Sequence, residues 1–311
     1  MQQHHHWTGL PPDARGASVT MGNFDGVHRG HRALIDHARQ VLPDAPLGVI
    51  TFEPHPRQFF APDAPPFRLM NPAARAHRLE RLAVDHLYEL PFNAELSGME
   101  AEDFVRRVLV AGLGIRHLTV GEDFHFGRKR GGDVTTLDRL GRELGFGVSA
   151  LPLLGEAGEA PFSSTAIRQA LSEGRPEDAA RILGHWHRID GPVIHGEKRG
   201  RELGFPTANM ALDGLHVPRL GIYAVLVDIL SGPHAGETHR GAASIGVRPT
   251  FGGDAVPNLE TFLLDFSGDL YGAELSVALV AWLRPELAFG DLEALIRQMR
   301  QDVADTRRVL A

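Results

Sequence analysis

Apolar positions change their rhythm along this chain. Up to about residue 150, stretches of strand length alternate with stretches whose apolar residues recur every three to four positions. The continuous run is 47–52, and 17–21, 84–90, 115–121 and 147–153 are further strand candidates of mixed polarity. A continuous run of that length predicts a strand buried on both faces, as in a parallel sheet covered by helices. Leu34, Ile35, Ala38, Val41 and Leu42 fall on one side of a helix over about 29–42, and 134–144 repeats the pattern. Ser97, with Glu100 three positions on, has the spacing of a capping box ahead of Phe104, Val105, Val108 and Leu109. Helices at 163–171, closing near Gly174, and 176–183 follow, the second opened by Pro176, a preferred residue for a helix start. The order strand, helix, strand, helix argues for a parallel α/β sheet.

After Gly184 the texture changes. Short strands at 187–194, 223–229, 242–247, 260–266 and 275–283 are separated by Gly/Pro turns, the spacing of a small antiparallel barrel or sandwich. A last helix begins near Asp291 and carries Leu292, Leu295, Ile296, Met299 and Val303 along one stripe. The expected boundary lies near residue 184, dividing the chain into 1–184 and 185–311. A length of 311 residues suits two domains.

Composition narrows the class. With 32 Lys plus Arg against 39 Asp plus Glu the net charge is −7, and the pI is about 6.2. No global basic field exists for nucleic acid, although a local basic pocket for a small anion remains open. There are no cysteines, which excludes disulfides, thiolate metal sites and thiol nucleophiles. No run of 18 apolar residues predicts a spanning helix. The start lacks the charged and apolar regions of a signal peptide. A cytoplasmic protein with no membrane partner is expected, its oligomeric state open. His4, His5 and His6 are assigned no function.

Chemistry concentrates first at Gly22-Asn23-Phe24-Asp25-Gly26-Val27-His28-Arg29-Gly30-His31. A strand runs into a glycine-rich loop and then into a helix start, where free N–H groups and the helix dipole attract anions. Gly22, Phe24 and Gly26 shape that loop. His28 and His31 can both donate to a phosphate as charge develops on it, and Gly30 leaves room between them. Two surface histidines, or a metal pair, are the other readings of the spacing alone. The loop is neither a Walker A sequence nor a G-x-G-x-x-G fingerprint. Near the end of the first half, Ser163, Ser164, Thr165 and Arg168 offer hydroxyls, N–H groups and a guanidinium to phosphates; Ser164 also reads as a plain N-cap. Asp123 and His55 stand after predicted strands, where open sheets take ligands, and either segment also reads as a loop packed on the sheet.

These stretches resemble the H-x-G-H and I-S-S-T-x-I-R signatures of the nucleotidylyltransferase superfamily, with Phe162 in place of the first isoleucine. Thr51-Phe52-Glu53-Pro54-His55-Pro56 and Gly121-Glu122-Asp123-Phe124-His125-Phe126-Gly127 are similar to segments of prokaryotic bifunctional riboflavin kinase/FAD synthetases, with His125 replacing an arginine. The resemblance implies a Rossmann-like nucleotidylyltransferase domain. There the phosphate of FMN attacks the α-phosphorus of ATP, giving FAD and pyrophosphate. It assigns His28 and His31 to the α-phosphate and Ser164, Thr165 and Arg168 to the leaving phosphates.

In the second half, Thr207 and Asn209 are two apart on an extended segment, point the same way, and can share one ligand. Both are hard oxygen donors suited to Mg²⁺, although a turn after Gly204-Phe205-Pro206 would also use them. Lys198, Arg199 and Arg201 would cover nucleotide phosphates, or form a solvated loop. Glu260 heads the alternation Glu260, Phe262, Leu264, Phe266, so it stands at a barrel mouth as a candidate base or at a sheet edge. This half is similar to the flavokinase module, through G-R-x-L-G-F-P-T-A-N, Gly221-Ile222-Tyr223, Pro249-Thr250-Phe251 and the 260–272 segment. The resemblance implies a small antiparallel Greek-key β-barrel with a terminal helix. By it, ATP phosphorylates riboflavin to FMN, with Thr207 and Asn209 on the magnesium–nucleotide, Gly204 and Pro206 in the phosphate loop, and Glu260 as the base.

Overall fold

The computed structural model describes residues 1–155, 161–195, 204–249 and 255–311. Six strands of the first half form one sheet: β1 (Gln2–His4), β2 (Ser18–Met21), β3 (Leu47–Glu53), β4 (His86–Pro91), β5 (His117–Gly121) and β6 (Gly147–Leu151). They stand in the order β1-β4-β3-β2-β5-β6, and every adjacent pair is parallel. All four residues of β2 are buried, and so are the first five of β3. Helix α1 (Arg29–Val41) packs on β2, β3 and β5. The short helices α2 (Pro56–Phe60), α3 (Pro72–Arg81), α4 (Ala94–Gly98) and α5 (Ala101–Asp103) lie in the connections. Helix α6 (Val134–Leu144) packs on β6. Ile50, Tyr88, Leu109 and Leu118 belong to the core of this sheet. The chain runs from β2 outward to β3 and β4, then returns to place β5 on the other side of β2. Beyond the ends of β2 and β5 lies the switch point at which such sheets take ligands.

Three local expectations are corrected. Ser97 and Glu100 do not form a capping box: Ser97 lies inside α4, which Asn93 caps, and Glu100 precedes α5 without a side-chain cap bond. Residues Phe104–Leu113 then wind as a π-helix, whose apolar face is buried as the spacing predicts. The histidine-rich start is an edge strand; His4 stacks on Tyr88, and its Nε2 lies 3.1 Å from His86 Nδ1.

The chain divides into two compact units, Met1–Pro65 with Arg75–Phe162, and Pro66–Ala74 with Ser163–Ala311. The division falls ahead of the textural change near residue 184. Helices α7 (Ser164–Ser172) and α8 (Pro176–Leu183) pack together in the second unit through Ile167, Leu171, Ala179 and Leu183, with Leu69.

The rest of that unit is an antiparallel, nearly closed barrel of β7 (His187–Pro192), β8 (Ala208–Ala211), β9 (Gly221–Ile229), β10 (Thr238–Pro249), β11 (Ala255–Leu263) and β12 (Glu274–Arg284). Their order is β7-β12-β9-β10-β11-β8, and a bridge between Ile194 and Asn209 draws the two edges together. Tyr223, Val225, Ile245, Leu259 and Val277 fill the interior. Strand β11 ends at Leu263, so Leu264 and Phe266 lie outside the alternation expected for Glu260. Leu259, Thr261 and Leu263 face the core, while Glu260 and Phe262 line a cleft on the other face. Helix α9 (Leu292–Val309), capped by Asp291, packs on β9, β10 and β12.

Candidate functional site

Beyond β2 the chain makes a tight loop before α1. Phe24, Gly26 and Val27 all have left-handed backbone, with φ of 51°, 87° and 44°. Non-glycine residues reach that region at a cost of about 1 kcal/mol or more, which concentrates at functional sites. Thr51 Oγ1 donates to Asn23 O at 3.2 Å and ties the loop to β3. Phe24 is fully buried, its ring 4.8 Å from that of His31. Phe24 and Gly26 therefore build the loop from behind.

His28 is the N-cap of α1: the His31 N–H donates to His28 Nδ1 at 3.3 Å. The two imidazoles stack with centroids 3.7 Å apart. A Cβ on Gly30 would stand 3.1 Å from the His28 ring, so glycine makes room for the imidazole itself. Burial pushes the His28 pKa down to about 4. That of His31 falls well below the ordinary value, through burial and then the neighbouring His28. Both rings are neutral at pH 7. Because Nδ1 of His28 accepts, its proton resides on Nε2, which makes that atom a donor. Nδ1 of His31 is buried without a hydrogen-bond partner among the described residues.

A cleft of about 590 Å³ opens beside this loop, a volume suited to a small-molecule ligand. Gly22, Asn23 and His31 line it from the β2 side, and Asp123, Phe124, His125, Phe126 and Gly127 from the segment after β5. Pro56, Arg57 and Phe60 of α2, with Phe52, Phe92 and Phe104, complete an aromatic wall. His55 is not among the lining residues; it caps α2, accepting from Arg57 N–H at 3.0 Å. Arg57, Phe60, Phe92, Phe104, Lys129 and Arg130 are lining residues that motif reasoning missed. Their signal, scattered aromatics and a basic triplet, reads in sequence as core and solvated loop.

The second signature opens α7. Ser163, not Ser164, is its N-cap, accepting from Ala166 N–H at 3.2 Å, and Ser164 is the first helical residue. Thr165 is exposed. The Arg168 guanidinium lies 5.7 Å over the Phe67 ring, and His216 Nε2 is 3.1 Å from its carbonyl oxygen.

The barrel carries its own cleft, of about 250 Å³, lined among others by Phe205, Thr207, Ile222, Glu260, Phe262 and Met299. Asn209 stands directly opposite Glu260 in the β8–β11 pairing. Thr207 Oγ1 donates to Glu260 Oε2 at 3.5 Å, and Asn258 Nδ2 to its Oε1 at 3.2 Å. Asn209 is buried and donates to Thr207 O at 3.3 Å. Gly204 has φ of 83°, and Phe205, just before Pro206, meets Phe262 edge-on at 5.3 Å. Lys198, Arg199, Arg201, Thr250 and Phe251 lie outside the described residues. Thr207 and Asn209 offer oxygen donors whose chemistry fits Mg²⁺, and of the two Thr207 is among the residues lining the cleft. Among the described residues no group of three or more His, Asp or Glu could hold a metal alone.

Comparisons with known proteins agree with the division of labour. Residues 10–166 match the FAD synthetase family model, and residues 183–310 the riboflavin kinase model. A bifunctional riboflavin kinase/FMN adenylyltransferase of Pseudomonas fluorescens is 45% identical, covering 97% of this chain and 96% of its own. The Escherichia coli K12 protein of that name is 39% identical over 94% and 92%. A solved structure described as a macrolide-efflux protein from Streptococcus pneumoniae superposes with a TM-score of 0.83 at 29% identity, covering 98% of both chains. Efflux is said of that protein alone; among the described residues here, no helix is long and apolar enough to cross a membrane. With both halves matched over nearly their full length, the chain belongs to the bifunctional riboflavin kinase/FMN adenylyltransferase family, making FMN from riboflavin and FAD from FMN with ATP.

Proposed function

We propose that the two clefts divide the two reactions, with residues 1–184 serving FMN adenylylation and residues 185–311 riboflavin phosphorylation. The observation that carries the kinase assignment is Glu260 beside Thr207 in an otherwise largely apolar cleft. Glu260 accepts the proton of the ribityl 5′-hydroxyl as that oxygen attacks the γ-phosphorus of ATP. Phe205, Ile222 and Phe262 supply apolar surface for a flavin ring. Thr207 and Asn209 hold the magnesium–nucleotide, with Gly204, Pro206 and Lys198 in the loop that covers its phosphates. Mg²⁺, when bound, offsets negative charge on those phosphates.

At the other cleft, FMN is already an anion at pH 7, so its phosphate needs no base. The work left to the protein is positioning and electrostatics. His28 donates from Nε2 to the α-phosphate, with His31 stacked against it. The family signature supports Ser163, Ser164, Thr165 and Arg168 as ligands of the departing pyrophosphate. Gly22, Phe24 and Gly26 hold the loop in shape, and Asp123 and His55 belong to the segments around the flavin or nucleotide. Both steps draw on ATP, and we place them in the cytoplasm, with no nucleic-acid or membrane partner.

Two variants test the division by chromatography of flavin products. Glu260→Gln is expected to stop FMN formation from riboflavin while still making FAD from supplied FMN. His28→Ala combined with His31→Ala should let FMN accumulate with little FAD. Loss of both activities in either variant would refute separate sites.

A further inference from the structure

We infer that the tip of the 127–132 loop holds a substrate phosphate in the first cleft, through Lys129 and Arg130. This rests on reading that cleft as the adenylyl-transfer centre. It assigns a binding role to residues outside both nucleotidylyltransferase signatures.

The chain contains only two lysines, Lys129 and Lys198; all its other basic side chains except histidine are arginine. One lysine therefore survives at the wall of the first cleft, and the other falls in the basic run of the kinase half. A lysine offers a compact charge with three rotatable donors, which suits a phosphate that must be held and then released.

The loop is built rather than loose. Phe126 and Gly132 exchange both backbone hydrogen bonds at 3.0 Å and close its base. Arg128 N–H donates to Met99 O at 2.8 Å, and its guanidinium donates to Glu100 Oε1 at 2.9 Å. A Cβ on Gly127 would stand 2.7 Å from Ala101 Cα, and one on Gly132 2.6 Å from Ala101 Cβ, so the root is pressed against α5. The root reaches the cleft at Phe126 and Gly127, and the tip at Lys129 and Arg130. There Lys129 and Arg130 are both left-handed, with φ of 52° and 59°. Two successive non-glycine residues in that region cost about 1 kcal/mol each or more, and such outliers cluster at ligand clamps.

Pairing separates the three basic residues of the triplet. Arg128 is spent on Glu100, whereas the side chains of Lys129 and Arg130 make no hydrogen bond or ion pair among the described residues. Arg57 and His125 line the same cleft, with Asp123 as its acidic side chain. On a chain of net charge −7, this is a local cationic wall. Both substrates of the step carry phosphate: a monoester on FMN and a triphosphate on ATP. Holding the monoester by charge would also favour FMN over riboflavin, which lacks the anion.

The test uses the full chain carrying Lys129→Ala with Arg130→Ala, assayed for FAD synthesis from supplied FMN. The expected result is a KM raised about tenfold or more, the value of lost charge-assisted hydrogen bonds, with kcat within about twofold. A rise confined to FMN assigns its monoester to the tip; a rise confined to ATP assigns the triphosphate. Riboflavin phosphorylation should be unchanged. If kinase activity falls too, wild-type protein gives the decision: an amine-acetylating reagent, read by mass spectrometry, should label Lys129 less when FMN or ATP is present. Unchanged KM values for both substrates with the kinase intact, or labelling that neither substrate reduces, would overturn the proposal. Retained FAD synthesis in the His28→Ala, His31→Ala variant would instead overturn the reading of the cleft.

Discussion

Burial holds the imidazole of His28 near a pKa of about 4 and that of His187, inside the second unit, near about 3. The unfolded chain titrates these groups near 6.5. Between that value and the folded one, the unfolded state takes up protons that the native state refuses. Their contribution is therefore fully present above pH 6.5 and is lost as pH falls, to about 4 for His28 and about 3 for His187. The loss is on the order of 3 kcal/mol for a group held that low. The urea midpoint should drop steadily from pH 7 to pH 4.5, and His187→Gln should flatten part of that slope. A midpoint independent of pH across this window would contradict the burial argument. At the same scale, the pattern of His28, Gly30 and His31 was legible from residue types at fixed spacing. The reason for Gly30 was not, since it lies in the His28 ring folding back over the helix start. Ser163 and Ser164 cannot be ranked as caps from type alone, because either hydroxyl fits and the chain's entry angle decides.

Elements whose sides differ in polarity were predicted closely: α1, α6 and α8 differ from expectation by a residue or less at their ends. Edges and irregular turns were not. Strand β1 is three residues long and carries no alternation; its pairing with β4 creates it. The π-helix keeps an apolar face, and spacing cannot tell its wider turn from an α-helical one. Strand β11 shows a subtler limit. Period two correctly put Glu260 and Phe262 together, but both faces of the strand carry apolar residues, so pattern could not say which faces the core. Helix α9 closes the second cleft with Leu295, Met299 and Val303, and its attachment is ionic. Arg284 donates from Nε and Nη2 to Asp302 at 2.7 and 2.6 Å, and Gln298, on the same helix as Asp302, donates from Nε2 to its Oδ1 at 3.0 Å. Asp302 is 6% exposed. Its removal strands the guanidinium in a largely desolvated place, which costs about 3 kcal/mol. Asp302→Ala should therefore lower the unfolding midpoint and raise the KM for riboflavin more than it lowers kcat. Asp302→Asn, which keeps one acceptor, should sit between it and wild type. Equal riboflavin KM values in all three proteins would remove α9 from the flavin site.

Over the whole molecule, length suggested two domains and the motifs suggested two ATP-dependent steps. The boundary in sequence follows texture, and the division in the fold follows packing. Texture changes near residue 184, but contacts divide the chain between Phe162 and Ser163, since α7 and α8 bury their apolar sides within the second unit. Secondary-structure type is written locally, whereas domain membership depends on what a helix packs against. Among the described residues, the lining of each cleft comes from one unit, and basic side chains gather locally on an acidic chain. This separation has a kinetic consequence. On the proposed assignment, a Glu260→Gln chain lacks the base for making FMN but keeps the adenylyl cleft; a His28→Ala, His31→Ala chain has the converse defect. Mixed with riboflavin, ATP and Mg²⁺, the two variants should make FAD together, after a lag while FMN builds up in solution. The rate should depend on the concentrations of both. No FAD from the mixture, while Glu260→Gln alone still converts supplied FMN, would mean that FMN never leaves the chain that made it. The two sites would then be kinetically inseparable despite their separate linings.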